Sequence, residues 1–418
     1  MNIWIIAEGE PLPILESNGR LMRAGMLAKQ FSDMGSSVTW WTSTYLHYEK
    51  KYINTKMKFM VINSNLKLVL LHSELGYKNN ISLKRLRYSK NLSMQFKSIA
   101  KGYPKPDIIY CSWPLIDFAY EATQYGQANN VPVVIDIRDL WPDIFIQPFP
   151  SLFQPIVEIL IKFIFEKKVA FTMRHADVVI GVIPKILGFA KSHGRILQPQ
   201  DHSVYLAYDN TPELIEDIIR AEKFWEMQGL VEDQCIISYI GTISNRIGDF
   251  DTLIEAAEKC TDSSMMFVLC GTGNYFAELT SRCKHLKNVL LPGYQNKAEI
   301  QALLKLSSFG LLPYRNTDDF IDSIPSKFSE YLSEGLIILT SLKGTSRQLL
   351  EKEHCGAYYH DASSLLECIA RINNAPPEKK KMSQNALNLF HREFDASRVY
   401  SDFYKFLEAT ADAAKNKG

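Results

Sequence analysis

At 418 residues the chain is long enough for two or three separate cores, and its 46% hydrophobic and 22% charged residues exclude a disordered, collagenous or fibrous protein. The formal charge of +1 conceals an asymmetry: residues 1–200 hold 24 Lys and Arg against 15 Asp and Glu, a net of +9, which leaves −8 for residues 201–418. The basic half is the candidate for meeting something anionic, a nucleic acid or a membrane surface.

Residues 1–7 lack a basic leader and turn acidic at Glu8 and Glu10, which reads as a first strand and not as a signal peptide. Further strands are predicted at 38–43, 66–71, 107–111, 131–136, 178–182 and 203–206. Helical stretches separate them, such as 20–34, on which Leu21, Gly25, Ala28 and Phe31 fall near one face. The turn-rich segment 198–212 reads as a linker. A second series follows at 235–240, 265–270, 289–291, 309–313 and 336–340, and the chain is helical after Pro377. Runs so rich in Val and Ile belong to parallel strands buried on both faces. The expected fold class is α/β, two doubly wound Rossmann-like domains facing across a cleft, with ligands at the carboxyl ends of the strands.

The most apolar stretch, 152–165, is shorter than the roughly 20 residues of a bilayer span and is interrupted by Gln154, Glu158 and Lys162. Lys162, Lys167, Lys168 and Arg174 gather toward its end, as on a helix lying in an anionic lipid interface; a buried core helix is the competing reading. A second basic set, Lys84, Arg85, Arg87, Lys90, Lys97 and Lys101, favours the membrane. No RNA-binding aromatic motif accompanies these charges, so nucleic acid is not an expected partner.

Seven cysteines (Cys111, Cys235, Cys260, Cys270, Cys283, Cys355, Cys368) show no paired spacing, which argues against a disulfide framework or zinc site and for a reducing, cytoplasmic compartment. The histidines, His47, His175, His202 and His360 among them, form no metal-ligand spacing. Asp249-Phe250-Asp251 matches the Asp-x-Asp pattern of metal-dependent transferases, yet it directly precedes a helix, where Asp is favoured as a cap, and capping is the preferred reading.

The most informative stretch is 318–335. Pro325 suits the first turn of a helix on which Lys327, Glu330 and Glu334 share one stripe and Phe328 and Leu332 another. An ammonium beside a helix start suits a diphosphate, and a carboxylate one turn in suits a ribose diol; a solvated, salt-bridged helix face explains the same spacing. Glycines after strands, at Gly241-Thr242, Gly271-Thr272-Gly273 and Gly293-Tyr294, are individually weak signals, since most are simply tight turns. Ser17-Asn18-Gly19-Arg20 before a helix reads either as a phosphate-facing turn or as an ordinary cap. Residues 133–142 run from strand into the charged loop Arg138-Asp139.

Together these segments resemble family 4 glycosyltransferases of the GT-B fold, and most nearly the N-acetylfucosamine-type transferases of bacterial O-antigen and capsule pathways. The donor signature of that family is matched by 324–335, with Glu330 at the ribose-binding carboxylate and Asp322 in place of the sugar-binding glutamate. The resemblance implies that Lys327, Ser326, Arg246, Gly241, Thr242, Gly271, Gly273, Tyr294, Gly19 and Arg20 bind the donor. It further implies that Asp139 serves the acceptor side, and that Arg138, in place of the family's histidine, contacts phosphate; Asp139, Arg138 and Asp322 are the catalytic candidates. The implied domains are an acceptor-binding 1–200, a nucleotide-sugar-binding 205–385, and a helix 386–418 packing back on the first.

The implied activity is retaining, hexosyltransferase-type transfer without a metal or other cofactor. A nucleotide sugar, UDP-linked by preference and carrying an N-acetylated deoxy-amino sugar, would supply a polyprenyl-diphosphate-linked glycan at the inner face of the cytoplasmic membrane. A nucleotide-sugar 2-epimerase of the same architecture and a non-catalytic scaffold are the alternatives.

Overall fold

The computed structural model describes residues 1–14, 21–80, 82–146, 149–231, 233–317 and 320–416. The predicted turn at Ser17, Asn18, Gly19 and Arg20 lies outside them. The chain divides into two compact units, 1–205 with 397–418, and 206–396.

The first unit holds β1 (Asn2–Ile6), β2 (Ser37–Ser43), β3 (Tyr45–Leu46), β4 (Lys51–Tyr52), β5 (Lys58–Val61), β6 (Leu66–Leu71), β7 (Ile108–Trp113), β8 (Val133–Ile137), β9 (Val178–Gly181) and β10 (His202–Ser203). Eight of these form one sheet in the order β10-β9-β8-β7-β1-β2-β6-β5, parallel except for the edge strand β5. Its helices are α1 (Arg23–Asp33), α2 (Leu83–Ala100), α3 (Ile116–Asn129), α4 (Gln154–His175) and α5 (Leu187–Ser192). The strands β1, β7 and β8 are buried almost throughout, as their aliphatic sequences require. Trp4 and Trp41 meet edge-on at 5.1 Å on one face, and Phe96 of α2 closes on Trp41 at 5.0 Å; such aromatic pairs add about 1 kcal/mol each to their area burial.

The second unit holds β11 (Cys235–Ile240), β12 (Met265–Cys270), β13 (Val289–Gly293), β14 (Phe309–Leu312), β15 (Ile337–Thr340) and β16 (Gly356–Tyr358), all parallel in the order β13-β12-β11-β14-β15-β16. Around them lie α6 (Ile215–Met227), α7 (Phe250–Lys259), α8 (Phe276–Cys283), α9 (Lys297–Leu306), α10 (Lys327–Ser333), α11 (Thr345–Glu353), α12 (Ala362–Asn373) and α13 (Pro376–Leu389). Capping boxes open α9, with Asn296 and Glu299, and α12, with Asp361 and Ser364. The last helix, α14 (Ala396–Lys415), falls with the first unit from Ser397 onward, where Phe31 of α1 meets Tyr404 at 5.4 Å.

Three predicted features differ. The strand expected at 203–206 ends after Ser203, because the carbonyls of Val204 and Tyr205 turn to accept hydrogen bonds from the Arg23 guanidinium at 2.8 and 3.0 Å. The antiparallel edge strand β5 was not anticipated, although Phe59-Met60-Val61 is an apolar, β-prone run; Phe59 and Val61 stay 52% and 71% exposed, and the turn is held by the Asn63 side chain, which accepts from Asn65 and Leu66 N–H. Finally, α10 starts at Lys327, so Pro325 sits before the helix; its carbonyl accepts from Phe328 N–H at 2.9 Å.

The apolar segment 152–165 is both core and surface. On α4, Ile161, Phe165, Val169 and Met173 are buried, whereas Ile156, Ile159, Leu160, Phe163 and Ile164 are exposed, Phe163 by 86%. Among the described residues no helix is long and apolar enough to cross a membrane.

Candidate active site

The carboxyl ends of β11, β12 and β13 carry three glycines with positive φ: Gly241 at 142°, Gly271 at 140° and Gly293 at 81°. Their turns are stitched edge to edge, Gly241 N–H donating to Cys270 O at 2.9 Å and Gly271 N–H to Gly293 O at 2.7 Å. A methyl group on Gly271 would stand 1.7 Å from the Gly241 carbonyl oxygen, and one on Gly273 would stand 2.2 Å from Ile243 O. These glycines are therefore required by close backbone approach, which the pattern alone did not distinguish from ordinary turns.

Lys327 rises from α10 into this layer. A Cβ on Gly241 would lie 2.6 Å from Lys327 Nζ, so the ammonium fills the space that the missing side chain leaves. It lies 4.7 Å from the ring centroid of Tyr239 and 4.9 Å from that of Tyr314, and donates to the Tyr314 hydroxyl. Lys327 is only 8% exposed, and no carboxylate of a described residue is within ion-pair distance. Burial pulls its pKa down to about 8, against the opposing pull of Glu330.

The helix carrying Lys327 is fixed from below. Tyr331 crosses β14 where Gly310 leaves room, since a Cβ there would stand 2.4 Å from the ring. Its hydroxyl accepts from Ile240 N–H at 3.1 Å and donates to Leu311 O at 3.2 Å, tying α10 to the ends of β11 and β14. Glu330 and Asp322 are both half-buried. The Asp322 carboxylate lies against Gly344 at the start of α11, where a Cβ would meet Oδ1 at 2.6 Å. Ser326 gives α10 no side-chain cap; Tyr294 is 77% exposed; Arg246 and Thr242 are also exposed.

Sequence reasoning missed Tyr239, Tyr314, Gly310 and Tyr331, although aromatics at strand ends 239 and 314 are the available signal for a cation without a carboxylate. It also missed Arg315, whose guanidinium lies 3.5 Å from Asp251 and 3.9 Å from Asp249; Arg282 adds a contact to Asp251 at 2.5 Å. Asp249 occupies the position before α7, but its carboxylate accepts from the Thr252 hydroxyl at 2.8 Å and makes no bond to a backbone N–H. The expected cap is thus one of position only.

In the first unit, Arg138 belongs to a closed ionic cluster. Its Nε donates to Asp136 Oδ2 at 2.8 Å, Nη2 to the Tyr110 hydroxyl at 2.8 Å, and Nη1 to Glu10. Asp136, fully buried, also pairs with Arg23 Nε at 3.0 Å. Burial alone would raise the Asp136 carboxyl, but Arg23 and Arg138 more than reverse this and hold it below its usual range. Two cations and two carboxylates balance in charge here, while Arg23 Nη2 and Asp136 Oδ1 are buried without a hydrogen-bond partner among the described residues. Arg138 is thus already engaged by two carboxylates and a hydroxyl, with its side chain 18% exposed. Glu10 Oε2 also accepts from Ala24 N–H at 2.8 Å, so an acidic side chain already occupies the amino end of α1.

Asp139, after β8, is half-buried, its Oδ1 accepting from Leu140 N–H at 2.8 Å. Burial pushes its pKa up, outweighing Leu140 N–H, Trp141 and Arg85.

Comparison with known structures identifies the architecture as GT-B. Sucrose-phosphate synthase from Thermosynechococcus elongatus superposes with a TM-score of 0.69 at 15% identity, over 99% of each chain. Anabaena Alr3699/HepE in complex with UDP gives 0.62 at 14% identity, over 98% of this chain and 99% of that one. WaaG, a glycosyltransferase involved in lipopolysaccharide biosynthesis, gives 0.61 at 13% identity, over 97% and 99%. Residues 221–389, all within the second unit, match the family model described as "Glycosyl transferases group 1", and this match together with the GT-B architecture supports a glycosyltransferase. No curated protein matches the chain.

Proposed function

We propose that the protein transfers a sugar from a UDP-sugar to a polyprenyl-diphosphate-linked glycan in bacterial surface-polysaccharide synthesis. The observation that carries the donor assignment is the Lys327 ammonium, held at the Gly241 turn by two tyrosines and by no carboxylate of the described residues. Such a cation is under-compensated and suits a diphosphate. Donor cleavage builds negative charge on the departing diphosphate, and a fixed ammonium in a dry setting stabilises it. Glu330, one helical turn from Lys327, is the carboxylate for the ribose diol, and Asp322 for the donor sugar. Because α10 has only seven residues, most of the charge stabilisation falls to Lys327 and to the glycine turns rather than to a helix dipole. Arg246, exposed on the loop after β11, is the second cation of this reading. Solved relatives of the same fold have been described with UDP and with UDP-glucose, which supports the uridine nucleotide. The transferred sugar in this reading is an N-acetylated deoxy-amino sugar, transferred with retention and without a metal.

The decisive measurement is thermal stabilisation by UDP, GDP, dTDP and CMP, each with and without EDTA. The expected result is a shift with UDP that survives EDTA. No shift with any nucleotide at millimolar concentration refutes the donor site, and a shift abolished by EDTA refutes its metal independence.

The same reading places the protein on the inner face of the cytoplasmic membrane through its basic unit. Its support is the exposed side of α4, with Ile156, Ile159, Leu160, Phe163 and Ile164 beside Lys162 and Lys167. The double variant Ile159→Asp, Phe163→Asp should lower co-sedimentation with phosphatidylglycerol vesicles by about tenfold or more, since each side chain is worth about 1.5–3 kcal/mol when withdrawn from water. Wild-type partitioning by the variant would remove α4 from the membrane contact.

A further inference from the structure

The segment that continues β14, Pro313-Tyr314-Arg315, faces two ways. Tyr314 turns inward, 5% exposed, and its hydroxyl accepts from the Lys327 ammonium. Arg315 turns outward, with 41% of its side chain exposed. The backbone of this segment is zipped to the loop that follows β11. Asp249 N–H donates to Pro313 O at 2.7 Å, Arg315 N–H donates to Ile247 O at 3.0 Å, and Gly248 pairs with Tyr314 in an antiparallel bridge. The Arg315 side chain adds one more bond, its Nε donating to Asn245 O at 3.0 Å. Arg246 therefore stands between two residues, Asn245 and Ile247, whose carbonyls are both held by Arg315.

The loop itself is closed by Gly248 N–H, which donates to Ser244 O at 2.9 Å, and Asn245 and Arg246 are exposed on the turn so formed. An exposed turn has many backbone states, and a cation carried on it gives up that freedom when it meets a ligand. Bonds that fix the backbone on both sides of the cation beforehand remove this cost. The charge of Arg315 has other company: its Nη2 lies 3.5 Å from Asp251 and 3.9 Å from Asp249, at the start of α7. Its charge thus faces two carboxylates, unlike that of Lys327, and what bears on the loop is the hydrogen bond from Nε to Asn245 O.

We propose that Arg315 is a positioning residue for Arg246, holding the turn so that this cation is set for the second phosphate of the nucleotide before it binds. With Tyr314 holding Lys327 from the other side, one short segment after β14 arranges both cations offered to the diphosphate. The assignment rests on the reading of Lys327 and Arg246 as the cations of the donor site.

Calorimetric titration of the full chain with UDP and with UMP tests it, because the ratio of the two affinities isolates the second phosphate. Arg246→Met should lower that ratio by about tenfold and Arg315→Met by about fivefold, with UMP binding unchanged in both. The double variant should be no worse than Arg246→Met alone, since Arg315 acts only through Arg246. Arg315→Gln separates the hydrogen bond from the charge: its amide nitrogen stands where the arginine Nε stood and can donate to Asn245 O, so the ratio should return to within about twofold of the wild type. The proposal is overturned if either methionine variant keeps the wild-type ratio, if the two losses add in full, or if Arg315→Gln is as impaired as Arg315→Met, which would make the arginine a direct phosphate contact. A parallel fall in UMP binding in Arg315→Met would make it a packing residue and also overturn the proposal. A wild type that binds UDP no more tightly than UMP overturns the donor reading, and this assignment with it.

Discussion

Lys327→Met should lower sugar transfer by about 100- to 1,000-fold while leaving the unliganded protein at least as stable as the wild type. The two effects have one cause. The ammonium is nearly buried between Tyr239 and Tyr314 with no carboxylate of a described residue to neutralise it, so the empty site bears a desolvation cost that a bound diphosphate would relieve. Methionine keeps the length and volume of the side chain without the charge. Loss of activity accompanied by a large fall in melting temperature would show that Lys327 is a packing residue, and undiminished transfer would remove it from the site. The same residue fixes a pH dependence. Its folded pKa of about 8 lies below the usual lysine value, so the cost to stability is fully present below pH 8 and fades as the pH rises from there toward the unfolded value. Donor affinity should move the other way, falling as the pH passes through 8 and the ammonium becomes neutral. UDP titrations between pH 6 and 9 would show both the direction and the midpoint.

Gly271→Ala should destabilise the second unit by about 3 kcal/mol or more. The added methyl would meet the Gly241 carbonyl oxygen at 1.7 Å, and φ of 140° is a conformation that side chains resist. Neither turn can retreat easily, because Gly241 N–H and Gly271 N–H are both bonded to the neighbouring strand ends. Gly229→Ala provides the control: it also has a positive φ, 84°, but nothing lies within 4 Å of the new methyl, so only the backbone cost of about 1–2 kcal/mol applies. Urea denaturation of the two variants separates clash from conformational strain. Equal losses would mean that the stacked turns are not the constraint described. UDP protection should disappear in Gly271→Ala even at temperatures where the chain remains folded.

Much of this arrangement was legible in the residues. Strands such as 235–240 and 265–270 fall where runs of aliphatic and aromatic residues put them, because burial on both faces leaves little room for polar side chains. The helix carrying Lys327 and Glu330 was legible too, since residues three apart lie together on any helix. What escaped was long-range complementarity. Asp136 stands inside an apolar strand, an evident demand for a cation, but nothing local reveals that Arg23, more than a hundred residues earlier, meets it together with Arg138. For the same reason Arg138 reads as a free cation in the sequence, and only the fold brings Glu10 and Tyr110 to it. Gly310 and Tyr331 escaped because a glycine inside a strand announces close approach without naming the side chain that will fill the gap.

The pairing of Tyr208 with Asp395 has a consequence for how the molecule can be taken apart. Tyr208 N–H donates to Phe394 O at 2.8 Å and Ala396 N–H donates to Tyr208 O at 3.1 Å, so the two ends of 206–396 run side by side as a short parallel ladder. A segment whose entry and exit adjoin has the geometry of an inserted cassette. It is suited to being expressed by itself, to having its ends joined by a short linker with new termini opened in a surface loop, or to being exchanged as one piece between related chains, because none of these operations pulls a strand from its sheet.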